Sequence, residues 1–211
     1  LNCTYCEDFG ARRNADAVAA TLDDSKKILK IIRDGVNKLW ITGGEPLLSP
    51  HILDLLTYAK DDLNFRELSL ITNGTLLSRH LNLLPLIDRL VISLDSIVPS
   101  ALASVSLGNE QSQQVIETIK SIAPLQKENH FKLILNAVIT PETLPSMDAL
   151  IEFCTENKIL LSFSPQAVNN WPHFDLITSD EYRSFIEKLL KAKKSGSPIL
   201  ASTAYLKTLL D

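Results

Sequence analysis

The sequence predicts an α/β protein whose strands lie parallel in one sheet, and two observations carry that prediction. Short β-branched runs alternate with longer helical patterns, and each run is almost continuously apolar, as strands buried on both faces are. The runs are 39–42 (LWIT), 68–72 (LSLIT), 90–94 (LVISL), 132–140 (KLILNAVIT) and 159–163 (ILLSF). Strand–helix–strand alternation implies βαβ units with right-handed crossovers. Five strands in 211 residues fall short of a closed eight-stranded barrel, which takes roughly 250. The expected architecture is therefore a partial barrel or an open doubly wound sheet.

The segments between the runs carry helix signals. Thr21 with Asp23 and Asp24 offers a cap ahead of Ile28, Ile31, Ile32 and Val36, and Gly35 marks the exit. Ser49 followed by Pro50 reads as an N-cap with proline at the first helical position. From Asn109 to about Gln126, Val115, Ile116, Ile119 and Ile122 recur at helical spacing. Thr178 to Glu181 reads as a capping box ahead of Tyr182, Phe185, Ile186, Leu189 and Leu190. The proline-bounded stretch 165–172 (PQAVNNWP) reads as a break. It divides a core, residues 1–166, from a C-terminal appendage, residues 167–211. The closing run 205–211 is expected to stop within a helix without a cap.

Composition narrows the function classes. With 45% hydrophobic residues the chain can bury one sizeable core, and a net charge of −4 gives no basic footprint for a nucleic-acid backbone. The basic cluster Lys191, Lys193 and Lys194 belongs at a helix C-terminus, where cations complement the helix dipole. No apolar run reaches the roughly 18–20 residues of a membrane span, and no secretory signal pattern is visible. Three cysteines, two of them close together at the start, argue against a disulfide framework and for a reducing, cytoplasmic setting.

Ligands of parallel α/β folds bind at the C-terminal ends of the strands, so the residues at each strand exit are the place to search. The first run leads into Gly43, Gly44, Glu45 and Pro46, and the second into Thr72, Asn73 and Gly74. The third presents Ser93, Asp95 and Ser96. The fourth carries Asn136 and ends in Thr140, Pro141 and Glu142, and the fifth runs into Ser162, Ser164 and Gln166. Small and polar groups at nearly every exit describe a binding site for a ligand with amine, hydroxyl and ring groups. Gly43–Gly44 and Asn73–Gly74 also suit tight turns. A carboxylate such as Glu45 beside glycines suits recognition of an ammonium group.

Cys3 and Cys6, with two residues between them, have three readings: half of a zinc site, a thiol-redox pair, or two ligands of an iron–sulfur cluster. The first lacks a second pair, and the third needs at least one more thiolate. Cys154 stands in a helical pattern beside Ile151 and Phe153 and reads as a buried core cysteine.

Taken together these residues resemble the radical S-adenosylmethionine (SAM) superfamily, whose signature is C-x3-C-x2-C with an aromatic before the last cysteine. Cys3, Tyr5 and Cys6 match its latter part, and the first cysteine would fall two residues before Leu1. Gly43–Gly44–Glu45–Pro46 matches the GGEP motif, and Ile71 to Gly74 and Ser93 to Asp95 match typical later strand exits. The resemblance covers about residues 1–166. It implies a partial (β/α)6 TIM-like barrel whose first strand would precede the cysteine loop. It implies a [4Fe–4S] cluster held by three thiolates, leaving one iron open for SAM, and reductive cleavage of SAM to a 5′-deoxyadenosyl radical that abstracts hydrogen from a substrate.

Residue by residue, the resemblance makes Cys3 and Cys6 cluster ligands. Gly43, Gly44 and Glu45 receive the SAM ammonium, with Pro46 shaping the turn. Ser93 and Asp95 take the ribose hydroxyls or the carboxylate, with Thr72 and Asn73 as neighbours. Tyr5, Asn136 and Val138 frame the adenine, chiefly through backbone. The motifs are similar to the molybdopterin-precursor and peptide-maturation (SPASM-like) branch, and the run 193–202 (KKSGSPILAS) is also similar to the tail of hopanoid-lipid enzymes. A small-molecule, lipid or peptide substrate and an electron donor such as flavodoxin or ferredoxin are thereby implied. The alternatives are a cluster-less domain that keeps a SAM-type pocket, and a zinc or thiol-redox protein using Cys3 and Cys6.

Overall fold

The computed structural model describes residues 3–5, 20–169 and 171–210. Five strands pair in parallel in the order of the chain: β1 (Lys38–Ile41), β2 (Glu67–Thr72), β3 (Arg89–Ser93), β4 (Lys132–Ile139) and β5 (Leu160–Pro165). A doubly wound sheet reverses strand order at its switch point. Strictly sequential order instead sends every crossover over the same face, giving an open segment of a barrel. β1 and β5 are not joined, so the barrel is not closed.

The helices are α1 (Leu22–Gly35), α2 (Ile52–Thr57, extended by a π turn through Asp62), α3 (Pro99–Val105), α4 (Asn109–Ile122) and α5 (Met147–Glu156). After β5 come a two-stranded hairpin, β6 (Ala167–Val168) with β7 (Trp171–Pro172), and then α6 (Phe174–Ile177), α7 (Asp180–Lys194) and α8 (Thr203–Thr208). One face of the sheet, with Leu90, Leu133 and Leu161 all at 0% exposure, packs against helical residues such as Ile119, Leu150 and Ile186. Each such leucine contributes about 1.5–3 kcal/mol of burial. Residues after 166 join the same cluster through Tyr182, Phe185 and Leu206. Ile199 returns beside β5, where Leu161 donates to the Pro198 carbonyl and accepts from the Leu200 N–H, both at 2.8 Å.

The other face is arranged in rows, because register partners on neighbouring strands point the same way. Lowest is a charged layer in which Glu67 accepts from its register partner Lys38 at 3.5 Å and from Arg89, one row higher, at 3.1 Å. Above it lies an apolar row, Ile71, Val91, Ile134 and Leu160, and above that a polar row, Ser93, Asn136 and Ser162. The rows lead upward to the strand exits.

Several local expectations are corrected. Ser49 accepts the His51 N–H at 3.3 Å, as a cap before Pro50 would, but the turn at 50–51 precedes the regular helix. Pro46–Leu48 forms a 3-10 turn that uses the Ser49 N–H, and α2 starts at Ile52. The cap of α7 is Ser179, which accepts from the Tyr182 N–H at 3.1 Å, so Glu181 is not placed for a reciprocal capping box. Thr178 instead closes α6 by donating to the Phe174 carbonyl. The last helix is a short, capped one: Ser202 accepts from the Tyr205 N–H, and the helix ends at Thr208. On α1 the stripe of Ile28, Ile31, Ile32 and Val36 is exposed, and Leu29 is the residue buried. Arg33 fixes that rotation by donating to the Leu63 carbonyl at 2.8 Å and lying over Phe65. The cap at Thr21 and the basic last turn of α7 are as expected.

Candidate functional site

Glu45 organises the first two strand exits. As the cap of the 3-10 turn after β1, its Oε1 accepts from the Leu47 N–H at 3.0 Å and from Thr72 Oγ1 at 2.7 Å. Its Oε2 accepts from the Asn73 N–H at 2.8 Å. The carboxylate thus bridges β1 and β2. Pro46 takes the first position of the turn, where its missing N–H costs nothing.

Gly43 and Gly44 are exposed just before Glu45, and among the described residues a Cβ built on either would meet no atom within 4 Å beyond its own chain neighbours. Packing among the described residues therefore does not require glycine at either position, although the φ of +158° at Gly43 favours it, and the open backbone leaves room for a ligand. Gly74 is different. At φ +79° it occupies the left-handed region, and a Cβ would stand 3.0 Å from Val115 Cγ1. Asn73 shapes this turn by accepting from the Thr75 N–H at 2.9 Å and the Thr75 hydroxyl at 2.6 Å.

Asp95 plays the corresponding part on the other side. It is 3% exposed, and its Oδ1 accepts from the Val138 N–H at 2.8 Å. Its Oδ2 accepts a short hydrogen bond from the Tyr5 hydroxyl. Burial raises the Asp95 carboxyl above the usual carboxylate range, against the two hydrogen bonds, which pull it down. Burial likewise pushes the Tyr5 phenol far up, with the neighbouring Asp95 charge adding to it. Tyr5 therefore anchors the cysteine segment to the exit of β3, and the Thr4 N–H reinforces it by donating to the Val105 carbonyl at 2.9 Å.

The structure thus brings Cys3, Tyr5, Ser93, Asp95, Asn136 and Val138 to one end of the sheet, with Gly43 to Pro46, Thr72 and Asn73 at the same end. Cys6 lies outside the described residues. Cys3 is half-buried, whereas Cys154 is fully buried in α5 within the helix-side core, so it is not available to the site. Burial pushes the Cys154 thiol up to about 12. No group of three or more potential metal ligands occurs among the described residues.

Two internal uses go beyond the sequence reading. Asp95 engages Tyr5 and Val138 with its two oxygens, and the Val138 N–H is taken by Asp95, so what Val138 offers a ligand is its half-buried side chain. Thr140, one of the polar exit residues, is 1% exposed and pairs with Thr143, which accepts the Thr140 N–H at 2.9 Å. No local pattern signals the Asp95 contacts, because its partners lie 90 and 43 residues away.

A parallel barrel segment with glycines, a braced carboxylate and a cysteine–tyrosine segment at its C-terminal end has its ligand-binding groups where α/β barrels carry their sites. The chain belongs to the radical SAM superfamily, whose family model matches residues 1–154. Among curated relatives it is 28% identical to GTP 3',8-cyclase 1 of Pseudomonas aeruginosa, over 94% of this chain and 63% of that protein. It is 30% identical to a probable GTP 3',8-cyclase of Methanococcus maripaludis, over 73% and 51%. The chain thus spans between about half and two thirds of these relatives. Among solved structures, Streptococcus suis SuiB bound to S-adenosylmethionine superposes with a TM-score of 0.70 at 23% identity, covering 94% of this chain and 46% of SuiB. Native anSMEcpe with bound AdoMet and a peptide gives 0.68 at 17% identity, covering 94% and 59%. At those identities the structural likeness speaks for the fold, a partial radical SAM barrel. Enzymes of this family use a [4Fe–4S] cluster and SAM. No helix among the described residues is long and apolar enough to cross a membrane.

Proposed function

We propose that this chain is the SAM-binding core of an enzyme that cleaves SAM reductively and uses the product to abstract hydrogen from an organic substrate. The observation that carries it is the carboxylate bridge of Glu45 to Thr72 and Asn73, standing directly after open glycines at the exit of β1. When bound, a reduced [4Fe–4S] cluster held by Cys3 and Cys6 would supply the one electron needed to break the sulfonium carbon–sulfur bond of SAM.

The chain's own residues do the holding. Cys3 and Cys6 are assigned to the cluster. The fit of Cys3 is supported by the hydrogen bonds of Thr4 and Tyr5, which hold its segment at the end of the sheet where the GGEP turn lies. Gly43 and Gly44 offer unhindered backbone to the SAM ammonium, and Glu45 adds a nearby negative charge while holding the turn. Ser93 and Asn136, register partners on the helix-free face, offer neutral groups to the ribose. Asp95 acts behind them, positioning Tyr5 and Val138 against the adenine. In this reading residues 1–166 form the core and 167–211 a C-terminal part packed on it through Tyr182, Phe185 and Leu206. A flavodoxin or ferredoxin supplies the electron, in the cytoplasm.

The experiment is anaerobic reconstitution of the full-length protein with iron and sulfide, followed by dithionite and SAM. Release of 5′-deoxyadenosine that disappears in Cys3→Ala supports the reading. A protein that holds neither iron–sulfur chromophore nor SAM would refute it.

A further inference from the structure

The proposed SAM contacts use the exits of β1 to β4 and leave over one polar column, on β5. Asn136 is the register partner of Ser93 on one side and of Ser162 on the other, and one row higher Val138 is the partner of Ser164. Register partners on adjacent strands stand about 4.8 Å apart, and successive rows on one face about 7 Å. Ser162 therefore continues the Ser93–Asn136 row one strand further, beside the SAM contacts and beyond them. No hydrogen bond within the described residues engages the hydroxyls of Ser162 and Ser164. Beneath the row, Val91 and Ile134 close the face at 6% and 3% exposure. The extended ladder runs on past β5, where the Gln166 N–H donates to the Ile139 carbonyl at 2.8 Å.

We propose that Ser162 and Ser164 bind the substrate of the radical reaction, and that this substrate is a peptide held through neutral amide groups. The inference rests on the radical SAM reading and extends it to the partner of the same site. A hydroxyl both donates and accepts, which matches an amide N–H or C=O, whereas a phosphate calls for cations. The polar row and the row above it carry serine, asparagine and valine and neither lysine nor arginine. The segment that follows β5 adds apolar surface. Trp171 on β7 is 76% exposed and Phe174 on α6 is 73% exposed, two aromatic surfaces of the kind that take peptide side chains.

The test uses reconstituted full-length protein and two probes: a mixture of end-blocked random dodecapeptides, and GTP. SAM affinity is read by equilibrium dialysis, peptide binding by anisotropy of a fluorescein-labelled mixture, and turnover as 5′-deoxyadenosine. Wild-type protein that binds no SAM and releases no 5′-deoxyadenosine would mean that the underlying radical SAM reading has failed, whatever β5 does. Given that activity, peptides should raise 5′-deoxyadenosine release about tenfold. Ser162→Val should abolish both the rise and the anisotropy signal, with SAM affinity unchanged within about twofold, because it leaves an amide unpaired. Ser164→Ala, a smaller change, should weaken peptide binding in the same direction and guards against misfolding of the first variant. The proposal is overturned if Ser162→Val weakens SAM binding about tenfold, if GTP stimulates and peptides do not, or if neither stimulates.

Discussion

Asp95 accepts the Val138 N–H at 2.8 Å with one oxygen and the Tyr5 hydroxyl with the other, so one buried carboxyl joins the cysteine segment, the exit of β3 and the end of β4. Replacing it with alanine leaves two donors without their partner. Asp95→Ala should lower stability by about 1–3 kcal/mol, measured by urea unfolding at neutral pH. Asp95→Asn keeps one acceptor and should fall between. Equal stability of Asp95→Ala and wild type would show that the bridge contributes nothing.

Glu45 uses three hydrogen bonds, two at one oxygen and one at the other. Glutamine keeps one acceptor and turns an NH2 toward a donor. Glu45→Gln should cost about 1–2 kcal/mol of stability and weaken SAM binding about tenfold, the equivalent of 1.4 kcal/mol. Urea unfolding and equilibrium dialysis read the two effects separately. Unchanged values in both would remove Glu45 from the site.

Gly74 combines φ +79° with side chains close by, and a methyl group added there would stand 3.0 Å from Val115 Cγ1 and 3.1 Å from Ile92 Cγ2. Gly74→Ala should destabilise by about 1–3 kcal/mol from backbone strain and crowding together. Gly44→Ala, with open space around it, should leave the melting temperature within about 2 °C. The contrast in melting temperature between the two variants is the check.

Cys154 is buried, and its thiol is pushed up to about 12. It should resist iodoacetamide at pH 8 in the folded protein and react in urea, which mass spectrometry of the peptide containing it resolves. Because the folded state holds the proton more tightly than the unfolded state, its contribution is complete below the unfolded thiol's pKa. It is then lost as pH rises, by about 1.4 kcal/mol per unit between about pH 9 and 12. The stability difference between wild type and Cys154→Val should shift across that window and be flat below it.

The five strands are legible in the sequence because each is an apolar run bounded by polar residues. The observed limits, such as Glu67–Thr72 against an apolar run of 68–72, differ by one or two positions. The strand-exit residues are legible for the same reason, since sheet direction sends every exit to one end. What stays hidden depends on distance along the chain. Nothing near Asp95 points to Tyr5, and nothing near Glu45 points to Thr72. Ser49 does accept the His51 N–H as its pairing with Pro50 signals, and the regular helix starts two residues beyond Pro50, at Ile52. The rotation of α1 escapes the sequence because apolar spacing gives a stripe but not which stripe turns inward, and Arg33 decides that.

The return of Pro198 to Leu200 alongside β5 gives that strand backbone partners on both sides, β4 on one and this segment on the other. Amide exchange should therefore be slow along β3 to β5. The serine and asparagine row then sits on a stiff wall, one that meets a ligand in the shape it already has.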